Sequence, residues 1–337
     1  MPAPHEYGDL QQNHQATSPV VDNILRKLQE SPMKTAIMYI MAFGSGMIWG
    51  ITFSLARIAT EAGKAPLGLA WWQAFGGGIV LLIYSILKSE FRRHRHRPRL
   101  GQMLFVGTCG NVIPGTLLFY AAIYVPAGVL AITIAIVPML TYASGTALSL
   151  ERFSWRRLAG VLLGFVAILL IMLPDGVKGL EAAQSGTLLT DTRFWIAASL
   201  FACCFYTLEN LFVESRVSAE ISIPVLLSGG MLVAAALLLP LVLLNKDFVT
   251  ISLPLDKVDG SIIAMMFVSA VAYLMYLMLI KMAGAIFASM SGYVVTLAGV
   301  FWGIIIFSET HSPLIWAALA LMLVGMALVT PRSQAKP

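Results

Sequence analysis

Residues 120–165 read YAAIYVPAGVLAITIAIVPMLTYASGTALSLERFSWRRLAGVLLGF. The stretch divides into an apolar helix end, a tight turn at Pro126–Gly128, a second apolar helix carrying Pro138, a short charged joint and a third apolar helix. A looser copy runs over residues 277–328: LMLIKMAGAIFASMSGYVVTLAGVFWGIIIFSETHSPLIWAALALMLVGMAL. In it, Met282-Ala283-Gly284 answers to Pro126-Ala127-Gly128, and Glu309 answers to Glu151. Ordered matches within helix–turn–helix–joint–helix units point to an internal duplication.

The composition around these copies excludes a water-exposed globule. The chain has 337 residues, of which 58% are hydrophobic and only 12% charged. A soluble domain carries about 25% charged residues. Apolar runs long enough to cross a bilayer, which takes about 20 helical residues, fall near 35–57, 67–87, 102–124, 127–149, 156–173, 194–213, 223–244, 261–281, 286–307 and 314–330. They are continuous rather than alternating, which argues against a β-barrel. The expectation is an all-α integral membrane protein of ten transmembrane helices.

Five is odd, so two halves of five helices enter the membrane from opposite sides. The duplication then becomes an inverted repeat, with a site between the halves near the bilayer midplane. The expected organisation is a polar N-terminal segment (1–34), a first repeat (35–173), an extracytoplasmic linker (174–193), a second repeat (194–330) and a tail (331–337). Within the first segment, Val20 to Leu28 has the pattern of a short amphipathic surface helix, with disorder as the alternative. The chain does not open on a signal-peptide pattern.

Orientation follows from charge. The joint KSEFRRHRHRPR holds Lys88, Arg92, Arg93, Arg95, Arg97 and Arg99. By the positive-inside rule it faces the cytoplasm. That choice also puts both termini there, together with most of the 22 Lys and Arg residues. The run is read as topogenic rather than as a nucleic-acid surface. Cys109, Cys203 and Cys204 lack the spacing of a metal or redox site and are read as buried thiols.

The residues Gly46-x-x-Trp49-Gly50-x-x-Phe53, the Ala127-to-Pro138 stretch with Glu151-Arg152 and Gly160 after it, and the second-half copy resemble the EamA type of the drug/metabolite transporter superfamily. The resemblance spans roughly residues 35–330. It implies an inner-membrane carrier, in many relatives an exporter of amino acids or related metabolites. Two positions depart from the pattern: Gln73, where many relatives carry arginine, and Val295-Thr296, where a second proline is expected.

Several helices carry polar stripes on one face. They are Ser45/Trp49/Thr52, Thr108/Asn111/Gly115, Ser199/Cys203/Tyr206/Asn210, Ser269/Tyr273/Tyr276 and Ser289/Tyr293/Thr296. Together they predict a cavity with aromatic walls and uncharged hydrogen-bonding groups, suited to a small zwitterionic or amphipathic solute. The expected substrate-binding residues are Trp49, Thr52, Asn111, Tyr206, Glu209, Asn210, Tyr273, Tyr276 and Tyr293. Pro114 and Pro138 each free a backbone carbonyl and are read as kinks or hinges. Gly46/Gly50, Gly160/Gly164 and Gly299/Gly303 are close-packing pairs.

Glu209 is the only acid inside the ten runs. It lies about 22 Å along the sixth helix from Phe194, at 1.5 Å per residue. An acid at that depth is costly and points to function: uptake of a coupling proton, or binding of an amino group. The alternative is a structural pair with Lys281.

The function expected is a secondary transporter that exports a small metabolite by alternating access. It needs no cofactor and no metal, has no nucleic-acid partner, and acts as a monomer or homodimer with protons as the candidate coupling ion. An intramembrane enzyme is the alternative from another class, but such chemistry needs paired acids, a metal set or a nucleophile with a base. His5, His14, His94, His96 and His311 all lie outside the apolar runs. A receptor or scaffold without transport is the third class.

Orientation is testable directly. A single cysteine placed at position 94, with the native cysteines replaced, should resist a membrane-impermeant thiol reagent in intact cells and react after permeabilisation. Rapid labelling in intact cells would invert the topology.

Overall fold

The computed structural model describes residues 32–94, 96–148, 153–172, 191–218, 220–289 and 291–329. Most of the N-terminal segment, Glu151-Arg152, nearly all of the 174–193 linker and the tail lie outside the described residues. Met1–Ile40 and Met41–Pro337 form separate compact units. Everything below concerns the second.

Each apolar run is a helix. They are α1 (Pro32–Glu61), α2 (Pro66–Leu87), α3 (Leu100–Tyr124), α4 (Ala127–Ala147), α5 (Trp155–Met172), α6 (Thr192–Arg216), α7 (Ile223–Leu244), α8 (Lys257–Ala283), α9 (Ser291–Phe307) and α10 (Pro313–Val329). No strand forms among the described residues. Eight helical runs are long and apolar enough to cross a membrane. Within α5 and α10 the apolar stretches, Leu158–Ala167 and Pro313–Gly325, are shorter.

Side chains that a soluble protein would bury point outward. Leu162, Phe165 and Leu169 form one such stripe on α5, and Ile304 and Ile305 stand exposed on α9. An apolar surface this broad is matched to lipid, not water. Cys203 is buried as the sequence suggests, but Cys204 is exposed. The two are neighbours on one helix, so only one can face the interior.

Lipid gives helices no hydrophobic reason to associate, so close contact must supply the attraction. Glycine provides it. A Cβ on Gly46 would lie 2.5 Å from the Val294 Cβ, and one on Gly50 would lie 2.6 Å from the Ala298 Cβ. α1 therefore meets α9 nearly backbone to backbone. Gly299 does the same towards Ala131 of α4. Elsewhere α2 lies along α7, α5 along α10 and α4 along α9, while α3 packs on α6 and α7, and α2 on α8.

Two helices break their pattern in mid-span. In α3, residues Thr108–Val112 form a π-helical turn just before Pro114, and the Ile113 N–H donates to the Thr108 carbonyl five residues back. In α4, the Ala135 and Ile136 amides reach back only three residues, to Ile132 and Thr133, just before Pro138. Proline supplies no N–H, so the hydrogen-bond register shifts where it enters.

At the 88–99 end of the bundle two histidines of the joint face acids. His94 sits 3.2 Å from Glu90, Glu90 accepts from the Ser222 hydroxyl at 2.9 Å, and His96 pairs with Glu220. The opposite end carries loops 62–65, 125–126, 245–256 and 308–312. There Trp72 Nε1 donates to the Val249 carbonyl at 2.7 Å.

The glycine contacts predict a position-specific cost. Gly50→Ile should lower the melting temperature of the detergent-solubilised protein by several degrees, the overpacking penalty being about 1–3 kcal/mol. Gly101→Ala meets nothing within 4 Å and should change stability by less than about 0.5 kcal/mol.

Candidate functional site

The cavity between the helices forms around Trp49 of α1. Its ring centroid lies 6.1 Å from that of Tyr206, 5.8 Å from Tyr273 and 5.5 Å from Tyr276. Edge-to-face and tilted rings at this spacing attract one another, and ring faces of this kind attract a cation. Glu209 stands among them, 1% exposed, and accepts a hydrogen bond from the Tyr273 hydroxyl.

This arrangement depends on the π-helical turn. Gly110, in the middle of that turn, faces the pair directly. A Cβ there would lie 2.5 Å from one Glu209 carboxylate oxygen and would overlap the Tyr273 hydroxyl. A glycine in an unwound turn thus lets α3 close over the acid. Such turns recur at functional sites, and in the sequence Gly110-Asn111 with Pro114 three residues on is the signal for one.

Three adjoining pockets of about 40, 40 and 30 Å³ share this wall. Trp49 and Tyr206 line all three. Glu209 and Tyr276 border the first, Thr52 the second, Asn111 and Tyr273 the third. A water needs about 10–15 Å³ of such volume, so this conformation holds a few waters and no metabolite. The cavity is contracted.

Not every expected residue reaches it. Tyr293 borders none of the three pockets, although Ser291, Gly292 and Val295 beside it border the first. Its hydroxyl is buried without a hydrogen-bond partner. Asn210 is buried but borders none of the three pockets, and its amide nitrogen has no partner. Thr52 spends its hydroxyl on the Trp49 carbonyl at 2.6 Å. Thr296 bridges to the Ala131 carbonyl at 3.1 Å, so it joins helices rather than lining the cavity. Pro114 sits just past the π-helical turn, and Pro138 packs near Gly292. Gln73 and Ser269 join the site together, bonded at 2.6 Å and lining the third pocket.

Lys281 does not pair with Glu209. Its ammonium donates to the Val213 and Val217 carbonyls at 3.4 and 2.5 Å, at the C-terminal end of α6, where a cation suits the helix dipole. Among the described residues no ion pair reaches Glu209.

A second acid was noticed in the sequence only as half of a repeat match. Glu309, just past α9, accepts from the Ala127 and Gly128 backbone amides at 2.9 and 3.1 Å and from Arg57 Nη1 at 2.5 Å. It caps the N-terminus of α4, where exposed N–H groups and the helix dipole favour an anion. His311 Nε2 lies 3.5 Å from the same carboxylate, and burial pushes its imidazole down from the ordinary value against the opposing pull of Glu309.

Residues 36–173 match the EamA-like transporter family. Over that region the chain is similar to EamA-like transporters, and eight helical runs among the described residues are long and apolar enough to cross a membrane. The chain is 23% identical over 296 residues to the "Uncharacterized inner membrane transporter YedA" of Escherichia coli strain K12, covering 86% of this chain and 89% of that protein. The YedA proteins of Escherichia coli O6:H1 and O157:H7 match to the same extent. A crystal structure of a protein 18% identical in sequence shares the fold, with a TM-score of 0.60 over 87% of this chain and 95% of that one.

The aromatic wall makes a direct prediction for binding. Trp49→Ala and Tyr276→Ala should each weaken binding of an ammonium-bearing solute about three- to thirtyfold, the range of a desolvated cation–π contact. Tyr84→Ala, on an outward-facing side chain 37% exposed, should leave it unchanged. Calorimetric titration of the three variants separates a lined site from general packing.

Proposed function

We propose that the protein is a secondary transporter that exports a small zwitterionic metabolite, an amino acid or a close relative, across the inner membrane by alternating access. The working unit is ten membrane crossings arranged as two inverted halves, 35–173 and 194–330. Both termini and the 88–99 loop lie in the cytoplasm.

The observation that carries this reading is Glu209: a buried carboxylate at membrane depth, bonded to one tyrosine, ringed by aromatic faces and free of any cation partner among the described residues. A carboxylate so placed is stabilised by taking up a proton or by receiving an ammonium group. Either event couples cavity occupancy to charge. A substrate amine can therefore displace a proton from the same oxygen atoms, which is the simplest chemistry for exchange.

The packing supports the inverted halves. If helix n corresponds to helix n + 5, the contacts α2–α7, α4–α9 and α5–α10 map onto themselves, and α2–α8 maps onto α7–α3. The interrupted spans support movement. The shifted registers before Pro114 and Pro138 both adjoin the cavity wall, where a few altered dihedrals would widen it. The contracted cavity suits an intermediate that must open to one side or the other. Inner-membrane placement rests on the apolar helices and on the likeness to YedA.

Reconstitution into proteoliposomes tests the reading. Counterflow of a labelled amino acid should proceed without ATP and depend on pH. Glu209→Gln should leave a folded protein whose rate falls at least tenfold or loses its pH dependence, whereas Lys281→Met should transport normally. Normal transport with an unchanged pH profile in Glu209→Gln would remove Glu209 from both roles.

A further inference from the structure

Three donors converge on one buried point at the loop 308–312 end of the bundle: the Ala127 and Gly128 amides and the Arg57 guanidinium. The amides form a helix N-terminus and Arg57 adds a cation, and His311 Nε2 lies 3.5 Å from the same carboxylate. In this conformation the Glu309 carboxylate fills the point. Its side chain is 5% exposed, and that of His311 is 1% exposed with neither ring nitrogen hydrogen-bonded.

The space is shaped for a carboxylate. A Cβ at Gly128 would lie 3.0 Å from both Glu309 Oε2 and His311 Nε2, and one at Gly303 would lie 2.5 Å from Glu309 Oε2. Glycine at both positions keeps the cradle open.

The cradle also sits at the outer end of the cavity. Thr52, Phe53, Ala56 and Ala122 line the second pocket. Arg57 follows Ala56 directly, and one turn beyond Ala56, Thr60 donates to the Ala122 carbonyl at 3.5 Å.

The donors and the plug have different owners. Arg57 and the two amides belong to α1 and α4, whereas Glu309 and His311 follow α9. Opening this end by separating α9 from α1 and α4 would strip the two amides of their partner and leave Arg57 with Glu61 alone, one turn on in α1 and half exposed, at 2.7 Å from its Nε. Two helix-terminal amides left unpaired at partial burial are costly.

We propose that the cradle formed by Arg57 and the Ala127 and Gly128 amides is a binding site for the solute's carboxylate, and that Glu309 is a built-in carboxylate that occupies it while this end of the cavity is closed. This rests on the transport reading above and deepens it. Glu209 would receive the amine and the Arg57 cradle the acid, at successive stations on one path. Arg57 Nη1 and the paired amides fit a planar two-oxygen anion, while Arg57 Nε is held by Glu61 at 2.7 Å. Exchange of one carboxylate for another also conserves charge at the gate.

Acetate is the probe. Purified Glu309→Ala should melt below the unaltered protein, and acetate should raise its melting temperature by several degrees beyond chloride at equal ionic strength. The unaltered protein, its cradle filled, should not respond, and neither should Arg57→Gln/Glu309→Ala. Should Glu309→Ala not survive extraction, Glu309→Ser is used in its place. An equal acetate response in all three proteins, or none in the single variant, would overturn the cradle without bearing on Glu209.

Transport by the unaltered protein gives an independent measurement. An amino acid should compete for uptake at least tenfold better than the amine lacking its carboxylate, and Arg57→Gln should erase the difference. Equal competition by the two would overturn the proposal while leaving the transport reading intact. Failure of both to compete would overturn the transport reading instead, and the acetate response would still decide the cradle.

Discussion

A backbone in hydrocarbon has no water to bond, so each N–H and C=O must find a partner within the protein. That constraint makes the chain a set of helices and confines irregular backbone to places where something else satisfies it. The described mid-span irregularities obey it. The π-helical turn of α3 adjoins Glu209, Tyr273 and the third pocket. The break in α4 leaves carbonyls that neighbours use: Thr296 donates to the Ala131 carbonyl and Cys203 to that of Thr133. Structure is irregular where it faces the cavity and regular where it faces lipid.

The same constraint explains why glycine holds the bundle together. With no water to drive helices together, attraction must come from close contact, and close contact needs small side chains. α1 and α4 both approach α9 through such positions. These contacts lie between helices that alternating access would have to move. Small residues on both sides make an interface that is dense yet has few interlocking side chains to resist sliding. The polar closures stand at the ends instead, Glu309 with Arg57 at one and Glu90 with Ser222 at the other.

Two acids divide the polar chemistry of the interior. Glu209 is held by a tyrosine and surrounded by rings, which suits a positive charge. Glu309 is held by a guanidinium and two amides, and its surroundings suit a negative one. A solute with both charges would meet complementary sites in succession. An uncharged one would find little to recompense the aromatic and polar groups for the waters it displaced.

Much of this was readable in the sequence. Ten apolar runs gave helices whose ends fall within a few residues of those observed, because hydrocarbon thickness and helical rise fix the length of a crossing. Period and composition placed Trp49, Tyr206, Glu209, Tyr273 and Tyr276 on inward faces, and Pro114 and Pro138 marked real changes of register. What the sequence could not supply was distance between helices. It allowed Lys281 as a partner for Glu209, but the two face different groups, since Lys281 reaches the end carbonyls of α6. It grouped Thr296 and Tyr293 with the cavity, although one bridges helices and the other stands beside the pockets. It matched Glu309 to Glu151 without revealing that Glu309 caps a helix in the other half, next to Arg57, 252 positions away. Helical period determines which face a residue occupies, a local property of the chain. Which face it meets depends on how the helices pack, and only the tertiary structure decides that.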